Sequence, residues 1–180
     1  MCWEKISAKS LREKGLLKLE GDELCGIYKW WAAKEELLKI LKKLKVVDFI
    51  DVDKEIEHKE IENKEMYCIY VGKATDLRDR LKKHMRGSID NSTLRKSLGA
   101  ILWNGDKKED LKNKINDEFI DKFFVEYKCV ENAGLLDVEE SEEISKCLRI
   151  LNIDGFNHKT FMQYINQPLS DLRDKLKNLK

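Results

Sequence analysis

The stretch that decides the fold runs from Tyr70 to His84 and has the sequence YVGKATDLRDRLKKH. It begins at the end of an aromatic and β-branched run, residues 66–71, which is typical of a strand. That run stops at a glycine, and apolar residues at helical spacing then predict a helix over about residues 76–86. Arg80 and His84 lie one turn apart on the edge of the apolar face. A strand, a glycine turn and a cationic helix could therefore form a small site for a phosphate or an acid.

Bulk composition limits the structures and partners to consider. The chain has 180 residues and is 42% hydrophobic, so we expect one compact domain spanning residues 1–180. Charged residues make up 38%, but 35 Lys and Arg nearly balance 34 Asp and Glu. A net charge of +1 gives no global argument for a nucleic-acid partner, so any electrostatic argument must be local.

Cysteine usage and hydropathy bear on the compartment. The five cysteines include no CxxC pair, and this pattern favours reduced, packed thiols over a disulfide framework or a zinc site. The N-terminus carries no signal-peptide pattern. No apolar stretch approaches the roughly 20 residues that span a bilayer. We therefore expect a cytoplasmic protein without a membrane partner.

The pattern along the chain predicts an α+β arrangement. Strands are predicted where aromatic and β-branched residues cluster or alternate, at 24–31, 66–71 and 122–130. Helices are predicted from apolar residues at helical spacing, at 32–46, 76–86, 91–103, 107–119, 137–151 and about 168–180, with a weaker pattern at 5–17. The run Asn91-Ser92-Thr93 offers an N-cap for the helix at 91–103. The strongly charged segment 51–65 is predicted to be a solvated loop or an exposed ribbon.

A carboxylate stands in an unexpected place on the predicted helix over 137–151. The apolar face of that helix is formed by Ile144, Cys147, Leu148 and Leu151. Glu140 falls in the middle of this face, whereas Glu143 and the other acids point elsewhere or to its edge. Burial of a lone carboxylate is costly unless a cation or several hydrogen bonds accompany it. A frayed first turn, whose acids favour the helix dipole, explains the pattern equally well.

Together, these features resemble the GIY-YIG nuclease superfamily. The first signature is Gly26-Ile27-Tyr28, and the second is Tyr70-Val71-Gly72, with valine in place of isoleucine. Arg80 and His84 follow Tyr70 by ten and fourteen residues, as in homing endonucleases of the family. The resemblance extends to its restriction enzymes and to the excision-repair incision subunit.

The resemblance continues downstream and covers about residues 24–160. Glu140 stands twelve residues before Asn152, matching the metal-binding glutamate and the later asparagine of the family. Asn152 would position groups through hydrogen bonds, and Asn157 remains an alternative. The resemblance implies a small three-stranded antiparallel sheet flanked by helices, with a C-terminal helix at about 168–180.

One departure from the family pattern concerns the spacing of the two tripeptides. Tyr28 and Tyr70 are 42 positions apart, whereas about ten residues often separate the tripeptides in the family. A helical insertion at about 32–65 would account for the difference. Long surface insertions cost only slowly growing loop entropy, so the insertion leaves the site intact.

The implied activity is a metal-dependent endonuclease that hydrolyses DNA by a one-metal mechanism. Glu140 would hold one Mg²⁺ or Mn²⁺ ion, and Arg80 would clamp the scissile phosphate. Tyr28 or Tyr70 would be the general base, with its pKa lowered by nearby cations. His84 would accept or relay the proton. Taken singly, both tyrosines could be ordinary strand aromatics, and His84 could be a core histidine.

The basic stretch over residues 70–98 predicts the partner. Its excess of cations could follow the phosphate backbone of duplex or branched DNA. The residues expected to contact nucleic acid are Lys73, Arg78, Lys83 and Arg95. The sequence also leaves open a nucleic-acid-binding module without catalysis, a nuclease acting on RNA, and a homodimer that cuts both strands.

Overall fold

The computed structural model describes residues 3–14, 24–105, 107–152 and 161–178, so Asn157 lies outside the described residues. Its strands are β1 (Glu4–Ser7), β2 (Gly26–Ala33), β3 (His58–Ile61), β4 (Lys64–Ala74) and β5 (Phe124–Cys129). Its helices are α1 (Ala8–Lys14), α2 (Lys34–Leu44), α3 (Val52–Glu55), α4 (Leu77–Arg86), α5 (Thr93–Leu102), α6 (Lys108–Glu118), α7 (Leu136–Ser145) and α8 (Gln167–Lys177). None of these helices is long and apolar enough to cross a membrane.

The sheet is antiparallel, with the strand order β1-β5-β2-β4-β3. The three strands predicted from the sequence are its centre, and the prediction of an antiparallel sheet flanked by helices is confirmed. The prediction of only three strands is wrong, because the sheet has five. The two additional strands, β1 and β3, lie at the edges and have four residues each. Such short, charged edge strands carry little local signal in the sequence.

The two edge strands arise in segments that were expected to have other structures. The weak helical pattern at 5–17 is a helix only from Ala8 to Lys14 within the described residues, because residues 4–7 pair with β5. In the charged segment, β3 and β4 form a hairpin whose turn residues Glu62 and Asn63 both have positive φ. Paired positive φ values match the twist of hairpin strands. The exposed ribbon is therefore the correct alternative for residues 58–65, whereas residues 52–55 form α3.

Both faces of the sheet are covered. The larger core contains Tyr28 and Trp30 from β2, with apolar residues of α2, α4, α5, α6 and α8. The smaller core contains Ile27 and Trp31 from β2, together with Ile144 of α7. Neighbouring β2 residues point to opposite faces, so one strand supplies both cores. This placement leaves the ends of β2 and β4 between the two groups of helices.

Helix α7 is shorter than predicted. It ends at Ser145 rather than near residue 151. Beyond it, the amide of Leu148 donates to the carbonyl of Glu55 at 2.9 Å, and the amide of Leu151 donates to that of Ile69 at 2.9 Å. Leu148 and Leu151 are buried, but from an irregular segment that adds hydrogen bonds to distant residues. The apolar spacing therefore predicted the burial of Leu148 and Leu151 correctly, but their helical conformation wrongly.

Candidate active site

The register of β2 and β4 brings the two tripeptides together. Tyr28 is the cross-strand partner of Gly72, and Gly26 that of Ala74. A Cβ atom at Gly72 would lie 2.4 Å from the hydroxyl oxygen of Tyr28, and one at Gly26 would lie 2.3 Å from the carbonyl oxygen of Lys128. Both distances are too short for a side chain. The glycines therefore allow the tyrosine ring and strand β5 to pack closely against the backbone.

The hydroxyl of Tyr28 is the centre of a buried hydrogen-bond cluster. Its oxygen lies 2.8 Å from Nε2 of His84 and accepts a hydrogen bond of 3.1 Å from Nε of Arg80. Arg80 is also hydrogen-bonded to the side chain of Tyr70. The rings of Tyr28 and Tyr70 are 6.3 Å apart between centroids. The structure thus brings four of the predicted site residues into one cluster.

The position of His84 is fixed from behind by Ser92. His84 is fully buried on α4, and its Nδ1 lies 2.6 Å from Oγ of Ser92, the N-cap residue of α5. The Tyr28 oxygen already accepts from Arg80, so its own proton is directed to Nε2 of His84. This network assigns the Nδ1–H tautomer, which donates to Ser92. The sequence showed Ser92 as a helix cap, but not its contact with His84.

Burial dominates the titration of these groups. The pKa of Tyr28 is raised well above its usual value, first by burial and then by the charge of Tyr70, while Arg80 partly lowers it. Burial likewise raises the pKa of Tyr70, with Arg80 opposing. Arg80 therefore acts in the direction expected of a nearby cation, but burial outweighs its effect on the pKa of both tyrosines. Burial, assisted by the charges of Arg80 and Arg95, lowers the pKa of His84 well below 6.5, so its imidazole is neutral at pH 7.

Glu140 reaches the cluster, but not from the middle of a buried face. Its side chain is 21% exposed and pairs with Nζ of Lys73 at 2.8 Å. Its charge contributes to raising the pKa values of Tyr28 and Tyr70, which places the carboxylate near both rings. The buried acid of α7 is instead Glu143, at 6% exposure. The expected orientations of Glu140 and Glu143 on the helix are therefore corrected.

Lys73 forms ion pairs with the carboxylates of the site. Its ammonium group pairs with Asp137 as well as with Glu140, and hydrogen bonds to these two carboxylates raise its pKa. Lys73 and Asp137 also line an open cleft of about 440 Å³, which we name the first cleft. Arg80 and Lys83 of α4 line the same cleft. It therefore joins the tyrosine cluster to Lys73, the partner of Glu140.

The chemistry of the donors decides whether a metal ion fits here. No group of three or more His, Cys, Asp and Glu side chains in the described ranges could enclose a metal ion. Mg²⁺ seldom needs such a cage, because it keeps several waters and takes one or two carboxylates plus substrate oxygens. The 83%-exposed Asp137 offers hard oxygen ligands at the first cleft, and Glu140, which shares the partner Lys73 with it, offers further ones beside the cleft. The residues present fit a magnesium-type ion that shares its ligands with substrate.

The other predicted residues have different surroundings. Asn152 accepts a hydrogen bond of 2.9 Å from the amide of Val71 and donates one of 2.7 Å to its carbonyl. It fixes the strand beside Gly72. Arg78 and Lys83 are exposed on α4, and Lys83 pairs with Asp79.

Arg95 does not reach the surface. It is fully buried and donates to the carbonyls of His84 and Met85 at 3.2 Å each, which satisfies the last turn of α4. A guanidinium enclosed in this way cannot touch a phosphate backbone. The assignment of Arg95 to direct nucleic-acid contact is therefore corrected.

The fold and the tyrosine cluster define a class of site in which two tripeptides pair on neighbouring strands. A family model of the GIY-YIG catalytic domain matches residues 26–175. The chain therefore belongs to the GIY-YIG family. Comparisons with curated proteins and with solved structures gave no significant match.

Proposed function

We propose that the chain is a divalent-metal-dependent endonuclease that hydrolyses DNA phosphodiester bonds. The observation that carries the proposal is the hydroxyl of Tyr28, held between Nε of Arg80 at 3.1 Å and Nε2 of His84 at 2.8 Å. A phenol, a neutral imidazole and a guanidinium at these distances can move a proton and stabilise negative charge together. The match to a nuclease family supports this assignment.

The proton transfer follows from the hydrogen-bond directions. Tyr28 donates to His84, which is neutral at pH 7 and accepts at Nε2. As the Tyr28 proton passes to His84, the Tyr28 oxygen can take a proton from the attacking water. The hydroxide attacks phosphorus, the bond to the leaving oxygen breaks, and the leaving oxygen takes a proton from solvent water. The raised pKa of Tyr28 makes this transfer to His84 necessary, because the free phenolate is scarce at neutral pH.

Arg80 connects the cluster to substrate. Tyr28 is fully buried, and its hydroxyl lies behind Arg80, which lines the first cleft. A phosphate in the cleft would attract the guanidinium fork of Arg80 and uncover the hydroxyl. Hydrogen bonds of this kind often rearrange when substrate binds. Arg80 would then bind the scissile phosphate next to the base.

Glu140 and Asp137 would hold the metal ion. A bound Mg²⁺ or Mn²⁺ would act as a Lewis acid toward the phosphoryl oxygens and offset their charge. Lys73 pairs with both carboxylates, so it would shift toward the phosphate when the carboxylates bind a metal. Lys73 and Arg80 would then present two cations to the substrate.

The proposal is tested by nicking of supercoiled plasmid DNA in Mg²⁺. We expect Tyr28→Phe to lower the rate by about 10²–10⁴-fold, the usual contribution of a general base. Tyr127→Phe is the matched control, since Tyr127 is the cross-strand neighbour of Tyr28 on β5 and its hydroxyl bonds to Glu4. It should cut at the wild-type rate. Wild-type nicking by Tyr28→Phe would refute the proposed base.

The role of Glu140 is tested separately. Glu140→Gln keeps the shape of the side chain and removes its charge, so we expect a folded protein without metal-dependent cutting. Full cleavage by Glu140→Gln would remove it from the mechanism. DNA binding without cutting by the wild-type chain, in any divalent metal, would support a binding module instead. Cutting confined to an RNA substrate would identify a ribonuclease.

A further inference from the structure

A second cleft lies at the C-terminal end of α4. It has a volume of about 440 Å³ and is lined by Arg12, Glu13, Arg86, Lys112 and Asn116. These residues belong to α1, α4 and α6. We name it the second cleft. It is not part of the proposed catalytic machinery.

The charge around the second cleft is predominantly positive. Arg86 and Lys112 are exposed at its rim, and Arg12 pairs with Asp121. Glu13 is the carboxylate among the lining residues. After these two carboxylates are counted, an excess of cations remains.

The buried guanidinium of Arg95 adds to the positive charge at the second cleft. Arg95 donates to Oδ1 of Asn116 at 2.7 Å and to the carbonyl of Lys112 at 3.0 Å, and both residues line the second cleft. Every hydrogen-bond acceptor of its guanidinium is a neutral oxygen, and no carboxylate among the described residues forms an ion pair with it. The charges of Arg12 and Arg95 repel each other at close range. A buried charge without an anion is costly, so an anion in the cleft would be favourable.

Helix α4 contributes residues to both clefts. Arg80 and Lys83 line the first cleft, and Arg86 follows Lys83 by three residues on the same side of the helix. The rise from Arg80 to Arg86 is about 9 Å at 1.5 Å per residue. A nucleic-acid strand, which advances about 3.4 Å per nucleotide, is therefore long enough to reach both clefts.

We propose that the second cleft binds a backbone phosphate of the nucleic acid whose scissile phosphate occupies the first cleft. The proposal rests on the proposed function, because it takes nucleic acid as the occupant. Arg86 and Lys112 contact the phosphate, and Asn116 can donate to it. Arg95 supplies charge from beneath without touching it.

The test is the salt dependence of binding to a 20-base-pair duplex, measured by fluorescence anisotropy in EDTA. Each lost phosphate contact reduces the slope of log affinity against log salt by about 0.9. We expect this reduction for Arg86→Gln and for Lys112→Gln, and recovery of the slope in Lys112→Arg. Lys112 is exposed, so its variants should keep the wild-type melting temperature.

The matched control is Lys114→Gln. Lys114 is on the same helix, two residues away and therefore on another side, where it lines a different cleft. The charge change is identical, so the wild-type slope is expected. An unchanged slope in both cleft variants, or an equal loss in Lys114→Gln, would overturn the proposal. Lys112-dependent binding of inorganic phosphate with unchanged duplex slopes would identify a small-anion site and also overturn it.

Binding in EDTA separates this inference from the proposed function. If Lys112→Gln reduces the salt slope but the wild-type chain cuts no substrate in any metal, the phosphate site in the second cleft is supported and the nuclease proposal is refuted. A chain that nicks DNA, but whose Arg86→Gln and Lys112→Gln variants keep the wild-type salt slope, would support the nuclease proposal and refute the phosphate site in the second cleft.

Discussion

At the scale of single residues, the two signature glycines are needed because they have no Cβ atom. Gly72 faces the hydroxyl of Tyr28, where a Cβ atom would come within 2.4 Å. Gly26 allows β5 to approach through the carbonyl of Lys128. The requirement is therefore steric and local. It explains why a tyrosine and a glycine face each other on neighbouring strands at the centre of the site.

Gly72→Ala should displace the Tyr28 hydroxyl while the sheet still forms. A shift of about 1 Å in a catalytic group can cost about a hundredfold in rate, so a loss of that order is expected in single-turnover cleavage. Gly99→Ala is the control, because its added Cβ would meet only flexible side-chain atoms, the nearest at 3.3 Å. A wild-type rate for Gly72→Ala would show that the contact is unimportant.

The neutral state of His84 determines the expected pH dependence. Only neutral His84 can accept the Tyr28 proton, and burial lowers its pKa well below 6.5. The accepting form is therefore complete at neutral pH and is lost as the pH falls through the lowered pKa. The cleavage rate should stay level from pH 8 down to about 6.5 and decline only below that. A decline centred above pH 7 would contradict this assignment of His84.

At the scale of elements, α7 is joined to the sheet by two ion pairs as well as by the apolar packing of Ile144. Lys29 of β2 pairs with the buried Glu143 at 2.6 Å, and Lys128 of β5 pairs with Glu139 at 2.6 Å. Glu143 lies one turn after Glu140 on the same helix. Lys29 therefore fixes the helix that carries the proposed metal ligand. No sequence pattern indicated this pair, because its partners are more than a hundred residues apart.

Lys29→Met should destabilise the fold, because it removes a buried partner of Glu143. Breaking a buried ion pair costs about 3 kcal/mol or more, measured as the free energy of unfolding in urea. In the Lys29→Met variant the buried Glu143 keeps the exposed Lys146 as a partner but loses Lys29, so the double variant Lys29→Met, Glu143→Leu should recover most of the loss by removing this carboxylate.

The control for this cycle is an exposed pair. Lys39 pairs with Glu35 at 2.8 Å on the surface of α2. Lys39→Met should cost less than about 0.5 kcal/mol, as exposed helix pairs usually do. Equal losses for Lys29→Met and Lys39→Met would show that burial of the pair is unimportant.

At the scale of the whole molecule, the site joins parts of the chain that are far apart in sequence. Tyr28, Tyr70, His84 and Glu140 come from β2, β4, α4 and α7. Between β2 and β4 the chain forms α2, α3 and the edge strand β3, and the two strands still pair in register. A ligand that binds at the site therefore binds only the folded chain. Metal binding should then stabilise the entire fold.

Mg²⁺ should raise the melting temperature through this linkage. At a concentration 100 times its Kd, a ligand of the folded state contributes about 2.7 kcal/mol, or about 5–10 °C for a chain of this size. The shift is measured by circular dichroism on heating. Glu140→Gln should lose it, and Glu62→Gln, in the β3–β4 turn, should keep it. The same shift in wild type and Glu140→Gln would place the metal elsewhere.

The sequence by itself determined the central strands, the α4 spacing of Arg80 and His84, and the two tripeptides. These features depend on neighbours within one helical turn or on the two-residue period of a strand, so local pattern is enough. Ser92 was visible as the cap of α5 for the same reason. Membership of the family followed from these features.

The tertiary structure alone decided which of these groups are buried and with which partners. The edge strands exist because β5 and β4 offer free hydrogen-bonding edges, and α7 ends where the chain bonds to residues 55 and 69. The burial of Arg95 and the pairing of Glu140 with Lys73 depend on tertiary contacts alone. Burial and charge pairing are set by groups distant in sequence, and no local period encodes them.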